Sequence, residues 1–216
     1  MFCDFGLELH LEDKPPVCLR NLDSLATSNI SHQSNRYKDP ALGGGALLDI
    51  GIYPLTWASL LMGTGLGSSA THPTISASMH LVEGVDYSDS VTLSYPNSPR
   101  TAICTSTVYN RTAETFCRIE GSKGVIEISG PAASVPRKIT IKRSDAEGKQ
   151  TEKDDVREFE PEAGVGFMWE ADAVALDVAA GRKENAIMPV GESLRMMRLM
   201  DEIRRIGGLK YPQDGA

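Results

Sequence analysis

The sequence predicts an α+β fold: a mainly antiparallel, open sheet with helices packed on one face. Two observations carry this. Over residues 74–160, runs rich in Val, Ile, Thr and Tyr succeed one another with only turn residues between several of them, and strands joined so briefly must pair antiparallel. On either side of that block, apolar residues recur at helical spacing, once before it and twice after it. The 216 residues read as a single domain, residues 1–216, long enough to bury a core without disulfide or metal staples.

The elements follow in order. Phe2, Phe5, Leu7 and Leu9 give a strand at the very start of the chain. From residue 10 to about 42 the chain is polar and carries Pro15, Pro16 and Pro40, which predicts a long irregular connection. Gly43, Gly44 and Gly45 then open an apolar segment, residues 46–62, in which Leu47, Leu48, Ile52, Leu55, Trp57 and Leu60 fall at roughly helical intervals. Gly63 stands at the C-cap position, and Pro54 within the pattern predicts a kink. Strands are expected over residues 75–82, 87–95, 101–109, 114–120, 125–129 and 138–143, with a charged loop around residues 145–155. Residues 167–180 hold good helix formers and stop at Gly181. Leu194, Met196, Met197, Leu199, Met200 and Ile203 form the apolar face of a last helix ending at Gly207 and Gly208. Its Arg195, Arg198, Arg204 and Arg205 are read as the solvated face.

Composition narrows the function. A net charge of −7 and a pI near 5.2 argue against a nucleic-acid partner. Cys3, Cys18, Cys104 and Cys117 lack C-x-x-C spacing, and His10, His32, His72 and His80 lack the i, i+4 grouping of a metal helix. Reduced thiols and no metal site are therefore expected. Asp4 and Glu8 occupy the start, where a secretory leader would be basic. The segment 46–62 is interrupted by Asp49, Gly51 and Pro54, so no membrane span is expected and the cytoplasm is the expected compartment. Neither glycine cluster reads as a nucleotide fingerprint. Gly63, Gly65 and Gly67 follow a helix and precede a strand, the reverse of what a dinucleotide turn requires. Gly121 to Gly124 lies between two strands and reads as a β-turn.

The chemistry concentrates in Asp49 and Tyr53. Four residues apart on a helix, they share a face one turn apart. A carboxylate in so apolar a segment needs a partner, and a tyrosine hydroxyl beside it can work as acid or base. A capping Asp and a packing Tyr would give the same spacing.

The run from Lys38 to Tyr53, KDPALGGGALLDIGIY, resembles the hallmark of the glucose–fructose oxidoreductase/inositol 2-dehydrogenase (Gfo/Idh/MocA) family. Its D-x-G-x-Y form is similar to the branch of dimeric dihydrodiol and D-xylose dehydrogenases. FCRIEGSKGVIEI from Phe116, GFMWE from Gly166 and PVGESLRMMRLMDEIRRIGGLKYP from Pro189 extend the resemblance over nearly the whole chain. It implies the substrate-binding half of a two-domain dehydrogenase acting on CH–OH donors, such as D-xylose or a trans-dihydrodiol. NADP or NAD would be held mainly by an N-terminal nucleotide-binding domain that this chain lacks, so the chain alone is expected to be inactive. Tyr53 would be the general acid/base, Asp49 would orient it or the substrate, and Arg36 would face cofactor or substrate. The family's assisting lysine, in an E-K-P motif, belongs to the other domain; Glu12, Asp13, Lys14 and Pro15 echo it only within a loop. A homodimer through the sheet face is implied. The alternative is a non-catalytic dimerisation or ligand-sensing module on the same fold, which would have no reason to keep both Asp49 and Tyr53.

Overall fold

The computed structural model describes residues 1–6, 36–96, 98–160 and 166–215. Eight strands form one open sheet: β1 (Phe2–Gly6), β2 (Thr74–Val82), β3 (Val85–Ser94), β4 (Thr101–Thr107), β5 (Thr115–Gly121), β6 (Gly124–Ser129), β7 (Lys138–Arg143) and β8 (Asp155–Glu158). Their order is β2-β3-β4-β1-β5-β6-β7-β8. The first strand thus lies inside the sheet, parallel to β4 and antiparallel to β5. All other pairings are antiparallel. The fold class expected from the sequence is the one found, and Gly121 and Gly124 close the β5–β6 hairpin as expected. The charged stretch expected as loop gives way at its end to β8, which pairs with β7. Leu7, Leu9 and the connection that carries Cys18 and Lys14 lie outside the described residues.

Period-two alternation fixes which face is covered. Cys3, Val91, Leu93, Ala102 and Cys104 are buried, whereas Phe2, Ser90, Ser94, Thr101 and Ile103 between or beside them are exposed. The free thiols of Cys104, Cys3 and Cys117 line up across β4, β1 and β5 on the buried side.

Three helices follow from the periodic segments: α1 (Ile52–Met62), α2 (Phe167–Ala179) and α3 (Val190–Gly207). Two of them cover the buried face. Leu55, Ala58 and Met62 of α1 pack with Met196, Leu199, Met200 and Ile203 of α3 on Val91, Leu93 and Ala102. Each fully buried Leu or Ile contributes about 1.5–3 kcal/mol of transfer free energy. The segment expected as one kinked helix is two pieces, a π-helical turn (Leu47–Gly51) running into α1. Pro54 explains the break, because it has no N–H to return to the Ile50 carbonyl in an α-helical ladder. Gly63 ends α1 in extended rather than left-handed backbone, with φ −73°. By length and apolarity alone Pro40–Met62 could cross a membrane, but half of it is buried in this core.

The arginines of α3 divide differently from the expectation. Arg195 is buried, its guanidinium bound to the buried Glu192 carboxylate one turn earlier. Arg204 is largely covered too, held by Asp201 and Asp214. An arginine stays at a buried position only when paired in this way.

Unlike its neighbours, α2 packs closely on no other element among the described residues. Phe167, Ala171, Val174 and Val178 follow i, i+4, i+7, i+11 spacing and form one stripe, and Trp169 and Leu176 lie on the opposite side. All six are exposed, Phe167 at 75% and Val178 at 70%. Asp177 is its one buried residue, accepting hydrogen bonds from Arg182 and Asn185 at 2.6 and 2.7 Å.

Candidate functional site

The site is built where the glycine triplet brings the chain onto the sheet. Asp39 caps a short 3-10 turn, Pro40–Leu42, by accepting from the Ala41 amide at 2.8 Å. Gly43 then turns left-handed at φ 68°. At Gly44 any side chain is excluded, since a Cβ there would come within 2.6 Å of the Arg36 carbonyl and 2.8 Å of that of Tyr37. Gly45, at φ 113°, backs onto Asp86, with the Asp86 amide 3.0 Å from where its Cβ would be. From the C-terminal segment, the Tyr211 hydroxyl donates to the Gly44 carbonyl at 2.6 Å. The loop is pinned from both sides before the helix begins.

Two aspartates of β3 hold the π-helical turn from below. The buried Asp86 carboxylate accepts from the Leu47 amide at 2.7 Å, taking up one of the free donors at the start of the turn. Burial pushes the Asp86 carboxyl up to about 6, against the stabilising pull of the backbone donors and Arg204. Asp89, also buried, accepts from the Ser106 hydroxyl, and burial pushes it up to about 7. Ser106 in turn lies directly beneath Gly51, with its Oγ 2.9 Å from where a Cβ would be. This close approach of turn to sheet is why a glycine separates Asp49 from Tyr53.

At the outer side of the turn, Asp49 meets Arg36. The guanidinium Nη2 lies 2.7 Å from the carboxylate, and the Asp49 side chain keeps 22% of its exposure. Arg36 also donates to the Tyr37 hydroxyl at 2.8 Å and lies over the Tyr37 ring, 4.2 Å from its centroid. Hydrogen bonding to Asp49 raises the guanidinium pKa above its ordinary value, so Arg36 remains a cation. Tyr53, in the first turn of α1, sets its ring edge-on to Phe5 of β1, with centroids 5.2 Å apart and an interplanar angle of 73°. It is 38% exposed. Trp57 fixes the next turn by donating its indole N–H to the Ala133 carbonyl at 2.9 Å.

All three residues singled out in the sequence therefore fall in one region, but they pair differently from the spacing argument. Asp49 is bound to Arg36, and no hydrogen bond joins it to Tyr53 among the described residues. Sequence reasoning missed Asp86, Asp89, Phe5 and Tyr211. One signal was present: two aspartates, poor strand formers, inside the β-rich run VDYSDSV. Chemically, the arrangement offers a part-exposed tyrosine one helical turn along the chain from a carboxylate–guanidinium pair, on a segment fixed to the sheet.

Comparison with known proteins gives the family. The model of the GFO/IDH/MocA C-terminal domain matches residues 20–127, and the chain belongs to that family. Among characterised relatives, D-xylose 1-dehydrogenase (NADP(+)) of Hypocrea jecorina is 32% identical over 191 residues, covering 83% of this chain and 48% of the relative. Human trans-1,2-dihydrobenzene-1,2-diol dehydrogenase is 30% identical over 182 residues, covering 83% of this chain and 51% of the relative. The chain thus spans about half the length of the relatives it matches. Among solved structures, an NAD-binding protein from Listeria innocua aligns with 96% of this chain and 52% of its own at a TM-score of 0.57 and 16% identity. The transcriptional regulator Gal80p of Kluyveromyces lactis aligns with 82% of this chain and 47% of its own at 0.59 and 12% identity. These two share the fold.

Proposed function

We propose that this chain is the substrate-binding and catalytic half of an NAD(P)-dependent dehydrogenase acting on a CH–OH group of a sugar, such as D-xylose, or of a trans-dihydrodiol. In this reading Tyr53 takes the proton of the reacting hydroxyl, and Asp49, with Arg36, orients the substrate beside it. The observation that carries it is the part-exposed Tyr53 ring, braced by Phe5, one turn along the chain from the Asp49–Arg36 pair.

The described residues fit the substrate side of the reaction and not the dinucleotide. Gly63 to Gly67 leads into a 3-10 turn and then β2, and Gly121 to Gly124 is a hairpin, so neither presents a strand–turn–helix phosphate site. Acceptance of the carbinol hydride belongs to a nicotinamide held by a second body. The two apolar stripes of α2 support such a body: a helix apolar on opposite sides is ordinarily covered on both, and here both are exposed. The 216 residues alone are then inactive. The uncovered sheet face supports a homodimer, since Phe2 and Ile103, paired across β1 and β4, stand exposed in its middle at 47% and 42%.

The test is to join this chain to the nucleotide-binding half of the Hypocrea jecorina relative and follow NADPH formation with D-xylose and with a trans-dihydrodiol. Substrate-dependent turnover is expected, and Tyr53→Phe should lower kcat by about 10²-fold or more. Near-normal turnover in that variant would overturn the role of Tyr53. Saturable NADPH binding by the unfused 216-residue chain would overturn the two-body reading.

A further inference from the structure

The site has a buried acid that the proposed chemistry does not use. Asp86 is fully buried on β3. One carboxylate oxygen accepts the Leu47 amide, and the other has no hydrogen-bond partner among the described residues. Ionised carboxylates are seldom left half-satisfied away from water, because each unpaired oxygen carries a desolvation cost. An apolar residue would fill this position at no such cost. The Asp86 carboxylate bonds to the Leu47 amide in the first turn of the segment that carries Asp49 and Tyr53, and it lies against Gly45 of the glycine loop.

We propose that Asp86 is the positioning residue of the site: through the Leu47 amide it holds the π-helical turn on the sheet and so sets where Asp49 and Tyr53 stand. It does not touch the reacting groups. The inference rests on the reading of Asp49 and Tyr53 as the working pair. Three features make the linkage rigid. Gly45 leaves no room for a side chain between loop and carboxylate. The Tyr211 hydroxyl clamps the preceding carbonyl. Ser106 closes under Gly51, at the other end of the turn. The turn is therefore fixed at its start by a charge and at its end by contact, with Asp49 between the two.

Protonation of Asp86 removes that charge and weakens the bond to the Leu47 amide, since hydrogen bonds to an ionised acceptor are about twice as strong as neutral ones. The charged and titratable groups that face Asp86 are Arg204 from α3, Tyr211 from the C-terminal segment and Asp89 along β3. The glycine loop presents only amides. Arg204 stays cationic between Asp201 and Asp214, and burial holds the Tyr211 phenol protonated. The two acids of β3 are thus the groups that change charge in the weakly acidic range.

The test is a pH series of NMR spectra on the intact 216-residue chain, with ¹⁵N-labelled leucine and ¹³C-carboxyl-labelled aspartate. The Leu47 amide and the Asp86 carboxyl should titrate together, with a midpoint near the Asp86 value of about 6. The Asp49 carboxyl and the Tyr53 ring resonances should show an inflection at that same midpoint. Asp86→Asn should remove the inflection from all of them. Asp89→Asn should leave the inflection near its wild-type midpoint, because Asp89, pushed higher to about 7, is largely uncharged while Asp86 titrates. If Asp86→Asn fails to fold, the wild-type and Asp89→Asn series still decide. Titration of Leu47 with no echo at Asp49 and Tyr53 would mean that Asp86 only stabilises the fold, and would overturn the proposal. A Leu47 amide that does not titrate would overturn it equally. No step uses cofactor or substrate, so this result and the fate of the dehydrogenase reading are separable.

Discussion

Removing one partner of the buried Glu192–Arg195 pair should be among the most damaging single changes in this chain. Glu192 is 2% exposed and Arg195 8%. One Glu192 oxygen accepts from the Gly67 amide and from Arg195 Nε, both at 2.8 Å. The other accepts from Arg195 Nη2 at 2.5 Å and from the Ser59 hydroxyl at 3.3 Å. The Arg195 bond holds the Glu192 carboxyl below its ordinary range, so the pair is ionised at neutral pH. Glu192→Ala leaves a buried guanidinium without its counter-ion and the Gly67 N–H without its acceptor. Breaking such a pair from one side costs about 3–5 kcal/mol, which for a domain of this size lowers Tm by roughly 6–20 °C. The double variant Glu192→Gln/Arg195→Met keeps an acceptor for Gly67 and removes both charges. It should lie within about 1.5 kcal/mol of the parent, because replacing a buried pair by uncharged groups is often neutral. Urea unfolding followed by fluorescence of Trp57 and Trp169 measures both. A cost below about 1 kcal/mol for Glu192→Ala, or a double variant as damaged as the single one, would refute the account of α3 as held to α1 and Gly67 by this charge network.

Other consequences can be measured on the same chain. Asp86 and Asp89 have folded-state pKa values raised to about 6 and about 7, so the folded protein binds protons more tightly than the unfolded one. Their contribution to stability is full only below the unfolded carboxyl range, about pH 4, and is lost progressively as pH rises from there through 6 to 7, at about 1.4 kcal/mol for each tenfold difference in proton affinity between the two states; urea midpoints should fall across that range and level off above it, and the fall should be smaller in Asp89→Asn. Gly45→Ala combines a disfavoured φ of 113° with a clash against Asp86 and should cost about 3 kcal/mol or more, seen as loss of soluble protein or a strongly lowered urea midpoint. Arg36→Ala removes a solvent-facing pair with Asp49 and the exposed contacts with Tyr37 and should change stability by no more than about 1–2 kcal/mol in the same urea assay. Val178→Lys, on the exposed stripe of α2, should likewise cost under about 0.5 kcal/mol in the isolated chain, and a larger loss would mean that α2 already packs within it.

What the sequence disclosed and what it withheld divide along local and non-local lines. The strands were readable because alternation is written into each one, as in Val91, Leu93, Ala102 and Cys104 against Ser90, Thr92, Thr101 and Ile103. β8 was not, since Asp155–Glu158 holds one apolar residue and exists as a strand only by pairing with β7. The central place of β1 was equally hidden, because it depends on pairing Phe2 with Ile103 far along the chain. Arg195 stands four and eight residues before Leu199 and Ile203, in phase with the buried stripe of α3, and its charge, not its period, made it read as solvated. Glu192, three residues earlier on the same face, supplies the carboxylate that lets it stay there. At the site, Asp49 and Tyr53 were visible from their spacing and their family resemblance, whereas Arg36 on Asp49 and Asp86 under Leu47 are contacts between segments that no local pattern announces.

The strength of the Asp49–Arg36 pair bears on how such a site could work. Both side chains reach solvent, so their attraction is screened, and in this setting the pair contributes no more than about 1 kcal/mol. A substrate hydroxyl could displace one partner from the other at little cost. The same pair covered by a second body would sit in a lower dielectric, where the interaction between charges at contact distance rises several-fold. Tyr53 would change in the same direction, since its exposed edge would lose water and its hydroxyl would face whatever closed over it. The residues that must stay fixed, Leu47, Gly51 and Leu55, are meanwhile buried against the sheet and insensitive to such a cover. A rigid base with a weakly held outer layer is therefore what a half-site needs if it is to be completed by a partner rather than by rearrangement of its own fold.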